Sequence, residues 1–476
     1  MKKRCFTIIT LVFAIVFCFG GLTSGDELRV PLGGVCQTPV VVGIPKEIKE
    51  GETRVGLTPK EVEELTAKGV VVLVEEGAGE KSGIKDRDFK DAGARIVATA
   101  KEVWDSADIV KKVKEPLPSE YVYFRRGLTI FTYFHLANPE NKELTGELMR
   151  KGVTAIPYET VVDEHEKTYL LEPMSRIAGW VAGIWATVYR NTQIHANETF
   201  RIKIDSVAEI DEKVELFYSR ILEEDNFEKL RASDSDYLSG ILAGIQENGP
   251  GDVVLLGGGA VSQEAALMSL MLGASSVTIT EPNPERLGEL DEFFSSRGYD
   301  DKVTIINPGE KPEDVKSSLR KADVIISAVY IRSETGSAIA PVLIDEELLE
   351  EISRDKKKVV IDVSCDQGGN VVPSFRQKYI TRYSAKYETF HSFPVYLDRF
   401  GNWRMAIPNI PAAFGEVASP YLNEATQPVL LKLVSGESLE DIMAANLDVK
   451  SGIAIKGGEL LDIAVADAHG IVRNGV

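Results

Sequence analysis

The sequence predicts an α/β protein whose parallel sheets carry helices on both faces. Three observations carry that prediction. Short buried-strand runs alternate with helix-like segments from Val40 onward. The alternation begins again at Asp252. That second start opens on a strand, a glycine turn and a helix. The chain has 476 residues, of which 44% are hydrophobic and 27% charged, the composition of a globular protein of two or three domains. Its formal net charge of −19 repels phosphate backbones and argues against a nucleic-acid partner. Four cysteines are too few for a disulfide framework and lack the paired spacings of zinc ligands, so no metal is expected.

Residues 1–25 stand apart. Lys2, Lys3 and Arg4 precede an apolar run from Cys5 to Leu22, and Thr23, Ser24 and Gly25 follow. This is the grammar of a secretory signal. The run of 18 residues also has the length of a membrane anchor. A third reading is a start assigned too early, with the protein beginning near Val40. No methionine lies between Met1 and Met149, so that reading needs a non-methionine start. Membrane association is expected only through this segment.

The first α/β unit opens with Val40 to Ile44 as a buried strand. Thr58-Pro59-Lys60-Glu61 is a capping box with proline at the first helical position, and the helix should end near Gly69. Val70 to Val74, Ile109 to Val113 and Leu128 to Phe134 read as strands, and Lys101 to Ser106 as a helix. Residues 196–250 break the rhythm. Eleven Asp or Glu lie from Asp205 to Asp236, with Val214, Phe217, Tyr218, Ile221 and Leu222 at helical spacing, so the stretch reads as an acidic helical insertion. The second unit has strands at Val253 to Leu256, Val277 to Thr280, Asp323 to Ser327 and Lys358 to Val363, with a helix at 263–272. After Pro411 the chain reads as mainly helical.

The clearest local motif is Gly257-x-Gly259-x-x-Ser262 between strand and helix. Glycine there lets backbone approach a pyrophosphate seated on the helix N-terminus. Glu281, 22 residues after Gly259, ends the next strand, where a carboxylate can bind a ribose 2′-OH and repel a 2′-phosphate. The plain alternative is a glycine-rich turn. A second constellation is dispersed: Lys114 and His135 each follow a strand, and Arg54 reaches the same end from a nearby loop. Two cations and an imidazole suit a small carboxylate undergoing proton and hydride chemistry. Taken singly, Arg54 reads as a partner for a surface acid, Lys114 as solvated and His135 as a satisfied core histidine. Asp366 could orient a histidine across a cleft or make an Asx-type turn. Cys365 reads as strand filler, and His165 as an exposed loop residue.

Together these segments resemble the alanine dehydrogenase family, within the alanine dehydrogenase/transhydrogenase superfamily. The matching blocks are Gly43 to Glu47, Arg54 to Pro59, Lys112 to Pro116, Phe131 to Ala137, Pro157 to Val161, Pro173-Met174-Ser175, the turn at 257–262, Asp366-Gln367-Gly368-Gly369 and Asn423 to Pro428. The resemblance implies two Rossmann-like domains around a central cleft, the first discontinuous. Residues 40–170 with 413–476 would form the substrate domain, and 171–412 the NAD-binding domain carrying the insertion. The implied reaction is reversible conversion of L-alanine, water and NAD⁺ to pyruvate, ammonium and NADH. Arg54 and Lys114 would hold substrate, while His135 and Asp366 serve acid–base steps. NAD would lie among Ser175, Gly257, Gly259, Ala260, Val261, Glu281, Val329, Tyr330, Val363, Ser364, Cys365, Ile407, Pro408, Asn409 and Ile410. A homo-oligomer, commonly a hexamer, and a cytoplasmic location go with it.

The superfamily's transhydrogenase NAD-binding subunit typically lacks the lysine, histidine and Asp-Gln-Gly-Gly features present here. A catalytically weak nucleotide-binding relative is the other alternative, prompted by four departures. These are the stretch 196–250, Arg176 where the family has an acid, Ser262 for the third glycine, and residues 331–340 in place of a compact Pro-Gly loop.

Overall fold

Runs of valine and isoleucine buried on both faces build two parallel sheets. They are seen in a computed structural model that describes residues 39–199, 249–332, 338–367, 369–372, 381–384, 389–392, 396–406 and 408–472. The readings of residues 1–25 and of the acidic stretch from 200 to 248 lie outside the described residues, as do Gly368 and Ile407.

The first sheet is built from β1 (Val41–Ile44), β2 (Val71–Glu75), β3 (Arg95–Val97), β4 (Ile109–Lys114), β5 (Thr129–Tyr133) and β6 (Thr154–Pro157). Its crossovers carry α1 (Pro59–Ala67), α2 (Asp86–Asp91), α3 (Ala100–Ser106) and α4 (Lys142–Lys151). The spatial order is β3-β2-β1-β4-β5-β6, all parallel. The capping box forms, with Glu61 accepting from the Thr58 amide at 3.2 Å.

A long helix, α5 (Glu172–Thr199), leads out of this sheet. The second sheet then repeats the topology. β7 (Asp252–Leu256), β8 (Ser276–Thr280), β9 (Val303–Ile306), β10 (Val324–Ser327), β13 (Val359–Asp362) and β17 (Trp403–Met405) stand in the order β9-β8-β7-β10-β13-β17. Short ribbons β11 (Ile331–Arg332) with β12 (Ala338–Ile339), and β14 (Thr381–Ser384) with β15 (Thr389–Ser392), stand outside it, and β16 (Tyr396–Leu397) adds an antiparallel edge. Helices α6 (Ala260–Met271), α7 (Pro284–Ser295), α8 (Pro312–Lys321) and α9 (Glu346–Ile352) make the connections. Each sheet therefore has the 3-2-1-4-5-6 order of a Rossmann fold, and each has its crevice where the order reverses, beyond β1 and β4 or beyond β7 and β10.

The chain then returns to finish the first sheet. After α10 (Gly415–Leu433), α11 (Leu439–Ala445) and α12 (Leu447–Gly452), the hairpin β18 (Ile455–Lys456) and β19 (Glu459–Leu460) pairs antiparallel onto β6, and α13 (Ile463–His469) follows. This first lobe is discontinuous in sequence. The hairpin interrupts the helical run expected after Pro411. Among the described residues no helix is long and apolar enough to cross a membrane.

One apolar cluster runs from Val42 and Phe131 through Ile184 and Trp185 of α5 to Leu255 and Ile361. Helix α5, which strand and turn signals did not reveal, is thus shared core. It meets α6 at glycines. A methyl group on Gly179 would stand 2.3 Å from the Val261 carbonyl oxygen, and one on Gly183 would stand 2.7 Å from Met268 Cβ. Gly179→Ala should therefore cost about 1–3 kcal/mol by forcing the helices apart. Urea unfolding of the variant tests this, and an unchanged midpoint would refute the close approach.

Candidate active site

Arg54 sits on the loop after β1 and is almost fully buried, as is Glu52. The local sequence places an acid two residues before the arginine, and the pair closes as a fork. Nε donates to Glu52 Oε1 at 2.7 Å and Nη2 to Oε2 at 2.6 Å. Nη2 also donates to Asn409 Oδ1 at 2.9 Å, and Nη1 meets Met174 Sδ at 3.1 Å. Burial penalises the Glu52 carboxylate, but the Arg54 charge and hydrogen bonds still hold it below the usual carboxylate range. The loop backbone is tied down by the far end of the chain. The Thr53 amide donates to Ala412 O at 3.1 Å, Gly415 N donates to Thr53 Oγ1 at 2.9 Å, and Val55 N donates to Ser419 Oγ at 3.1 Å.

Lys114 ends β4 and His135 follows β5, so their neighbouring strands bring them together, with Nζ 3.2 Å from Nε2. An ammonium only donates, so Nε2 accepts and the ring proton belongs on Nδ1. Burial drives the imidazole pKa well below 6.5, and the charges of Lys114, Lys49 and Arg54 push it the same way. His135 is therefore a neutral base at physiological pH. Its backbone is strained, with φ +50°. Glu159 and Asn141 hold it there. The Glu159 carboxyl accepts from the amides of Phe134 and His135, and Asn141 Nδ2 donates to both of their carbonyls at 3.0 Å.

At the second crevice Gly257 takes φ +94°, open to glycine alone. A methyl group there would meet Val329 Cγ2 at 2.7 Å, and one on Gly258 would meet Glu281 Oε2 at 2.7 Å. A methyl group on Gly259 would meet nothing within 4 Å, so space lies before the start of α6. Gly259 is the N-cap and offers no side-chain cap, leaving first-turn amides for an anion. Glu281 accepts from Gly258 N at 3.0 Å and from Asn283 N at 2.8 Å. The geometry fits a dinucleotide: an open pyrophosphate cradle with a carboxylate at its ribose end. Ser262 is fully buried, consistent with close helix–strand packing at the third position of the motif.

The structure thus joins Arg54 to Asn409, Lys114 to His135, and Gly258 to Glu281. Ser175 stands in the first turn of α5, beside the Met174 that touches Arg54. Val329 is fixed by Asn370, which accepts from its amide at 2.9 Å and donates to its carbonyl at 3.0 Å. Tyr330 is 44% exposed, whereas Ser364, Cys365 and Ile410 are buried. Ala260 and Val261 begin α6 and are half-buried, as are Val363 and Pro408. The strand read as 358–363 ends at Asp362. Cys365 and Asp366 lie in the 3₁₀ turn Val363–Gln367 rather than in or at the end of the strand, and the Asp366 side chain lies outside the described residues. Asp362 organises that turn, accepting from the amides of Ser364, Asn370 and Val371. His165 is exposed.

Residues 43–178 match the family described as Alanine dehydrogenase/PNT, N-terminal domain, and residues 234–462 match its C-terminal domain. The chain belongs to this family. It is 36% identical over 427 residues to alanine dehydrogenase of Bacillus subtilis strain 168, covering 90% of this chain and 94% of that protein. Alanine dehydrogenase 2 of Staphylococcus aureus strain Mu50 is 34% identical, with 90% and 96% covered. Among solved structures, an L-alanine dehydrogenase superposes with a TM-score of 0.67 at 32% identity, covering 90% of this chain and 99% of that one. A transhydrogenase from Sinorhizobium meliloti shares the fold, with a TM-score of 0.61 at 19% identity and 88% and 100% covered.

One departure from the family pattern finds its partners. Arg176 pairs with Glu172 at 2.6 Å and with Glu264 at 3.2 Å, so the cation ties α5 to α6.

The motif reading gave Glu52, Glu159 and Met174 no role, although the latter two lie inside matched blocks. Burial lifts the Glu159 carboxyl to about 7 against its backbone hydrogen bonds. A raised folded-state pKa adds stability that is full below the ordinary carboxyl range and is lost as pH rises through about 7. Glu159→Gln should remove that loss. The gap in unfolding free energy between variant and wild type should shift in the variant's favour by on the order of 3 kcal/mol between about pH 4 and 8. Urea titrations across that range measure it, and a constant gap would mean that Glu159 titrates in the folded state as it does in the unfolded chain.

Proposed function

We propose that the protein catalyses reversible, NAD-dependent oxidative deamination of L-alanine: L-alanine, water and NAD⁺ give pyruvate, ammonium and NADH. The observation that carries the reading is a neutral, half-buried His135 at 3.2 Å from Lys114, in electrostatic reach of an oriented Arg54. The named activity of its relatives supports the same choice.

In this reading the Arg54 guanidinium binds the substrate carboxylate, held in orientation by Glu52 and Asn409. Lys114 donates to the oxygen on the reacting carbon and keeps His135 from taking up a proton in the resting state. His135 then removes a proton from water as it adds to the imine carbon, and returns it to the departing amine. Asp366, on the turn after β13, is assigned to the same proton steps. Bound nicotinamide supplies the hydride acceptor that no side chain provides. The turn at 257–259 with Ala260 and Val261 would hold the pyrophosphate, and Glu281 the ribose hydroxyls. Ser175, Val329, Tyr330, the segment 363–365 and the segment 407–410 would border the cofactor. Glu281 favours NAD over NADP by charge. Arg286 stands nearby but donates to Gly258 O and pairs with Glu289.

The reading brings a division of labour, with residues 40–170 and 413–476 handling substrate and 171–412 the cofactor. It also brings a homo-oligomer, hexameric by family resemblance, and a cytoplasmic place, where the coenzyme pool is.

The first test is NADH formation by the full chain with L-alanine and NAD⁺ at alkaline pH. No NADH with any small amino acid, despite measurable NADH binding, would leave a nucleotide-binding protein instead. His135→Ala should lower turnover about a hundredfold or more while the fold persists, and near-native turnover would make His135 structural. Glu281→Ala should relax the preference for NAD over NADP. An unchanged ratio of the two kcat/KM values would remove Glu281 from the ribose.

A further inference from the structure

Lysines occupy three of the last four positions of β4, and each meets a different fate. Lys112 lies between the carboxylates of Glu47 and Glu120, at 3.3 and 3.0 Å. Lys114 reaches His135. Lys111 is fully buried, and its amine donates to Gly56 O at 2.7 Å and to Asn423 Oδ1 on α10. Asn423 in turn donates to Val55 O at 3.1 Å and to Ser419 O at 2.8 Å. The loop backbone is pressed onto the strand here, since a methyl group on Gly56 would stand 2.5 Å from the Lys111 carbonyl oxygen. One amine therefore joins β4, Gly56 of the loop that carries Arg54, and α10, whose Asn423 also holds Val55.

We propose that Lys111 is a positioning residue for carboxylate binding: by tying Gly56 to Asn423 it fixes where the Arg54 guanidinium stands. It acts through Arg54 and does not itself touch substrate. The proposal rests on the dehydrogenase reading above.

The chemistry of the contacts suits an uncharged amine. Two bonds to two acceptors need only two protons, and among the described residues no carboxylate pairs with the amine. The opposing charge that acts on it is that of Glu61 on α1, which is engaged by Thr58. Glu64, also on α1, accepts from Gln427 at 3.2 Å. From α10 the facing side chains are the uncharged Asn423 and Ser419, while Glu424 is exposed. Burial brings the amine down to about 7, with Glu61 opposing the fall. Below that pH the site has to bury a net charge and a third proton with no further acceptor among the described residues, a cost that opening of the tie to water relieves.

The test is steady-state kinetics of full-length Lys111→Met and Lys111→Gln. Methionine fills the space without donors. Glutamine keeps two donors on a shorter stem. The expected result for the methionine variant is a KM for L-alanine raised about tenfold or more, with kcat and the KM for NAD⁺ within about twofold. The glutamine variant should lie between. In the wild type, KM for L-alanine should rise as pH falls through about 7, and the methionine variant should lose that rise relative to wild type. An unchanged KM, or kcat and both KM values worsening together in both variants, would overturn the proposal. If the wild type turns over no amino acid, the dehydrogenase reading fails, and hydrogen exchange decides on Lys111. Amides of residues 55–57 should exchange about tenfold or more faster in the methionine variant. Equal protection would overturn the positioning role.

Discussion

A guanidinium taken almost wholly out of water has to be matched where it stands. For Arg54 the match is Glu52, two residues earlier, and removing either partner of such a buried pair costs about 3–5 kcal/mol. Two residues that close in sequence can face each other as a fork only if the backbone between them is held in one shape. That shape is supplied by Ala412, Gly415 and Ser419, which take up the polar groups of Thr53 and Val55. The return of the chain to its first sheet follows from this need. Helix α10 is less an appendage to that lobe than the wall against which its Arg54 loop is cast.

Both sheets repeat one strand order and use it for different ends. In the first, the crevice at the reversal gathers Arg54, Lys114 and His135. In the second, it holds the glycine turn and Glu281. Helix α5 joins the two because Met174 touches Arg54 at its start while Gly179 and Gly183 lie flush against α6. Arg176 adds charge pairs to the same contact. The cation at this position is thus matched by Glu172 and Glu264.

Much of this was legible in the sequence because it depends on neighbours in the chain. Strand-end residues such as Lys114 and His135 announce themselves by what precedes them, and the first two glycines of the turn by the strand and helix around them. Pairing across distance left no such mark. Glu159 supports His135 from 24 positions away, and Asn409 reaches Arg54 across 355. Helix α5 was hidden because Pro173, Gly179 and Gly183 look like breakers, although the proline sits in the first turn and the glycines serve contact with α6. The start of α6 was placed three residues late, at 263, because an N-cap glycine gives no side-chain signal. Asp362 was passed over because it reads as the end of a strand, while its carboxylate shapes the turn beyond.

Asn423 donates across 368 positions to the Val55 carbonyl, and that span has a meaning in time. At roughly 5–20 residues per second, a ribosome finishes the sheet positions β1 to β6 long before it makes the residues that hold the Arg54 loop. For about 20–70 seconds after their synthesis, the Thr53 amide and the amide and carbonyl of Val55 have only water in place of Ala412, Ser419 and Asn423. A chain cut short before α10 would possess every strand of the 3-2-1-4-5-6 order in both lobes and still lack the means to set its arginine. Synthesis of α10, rather than formation of the sheets, is the event that sets the Arg54 loop.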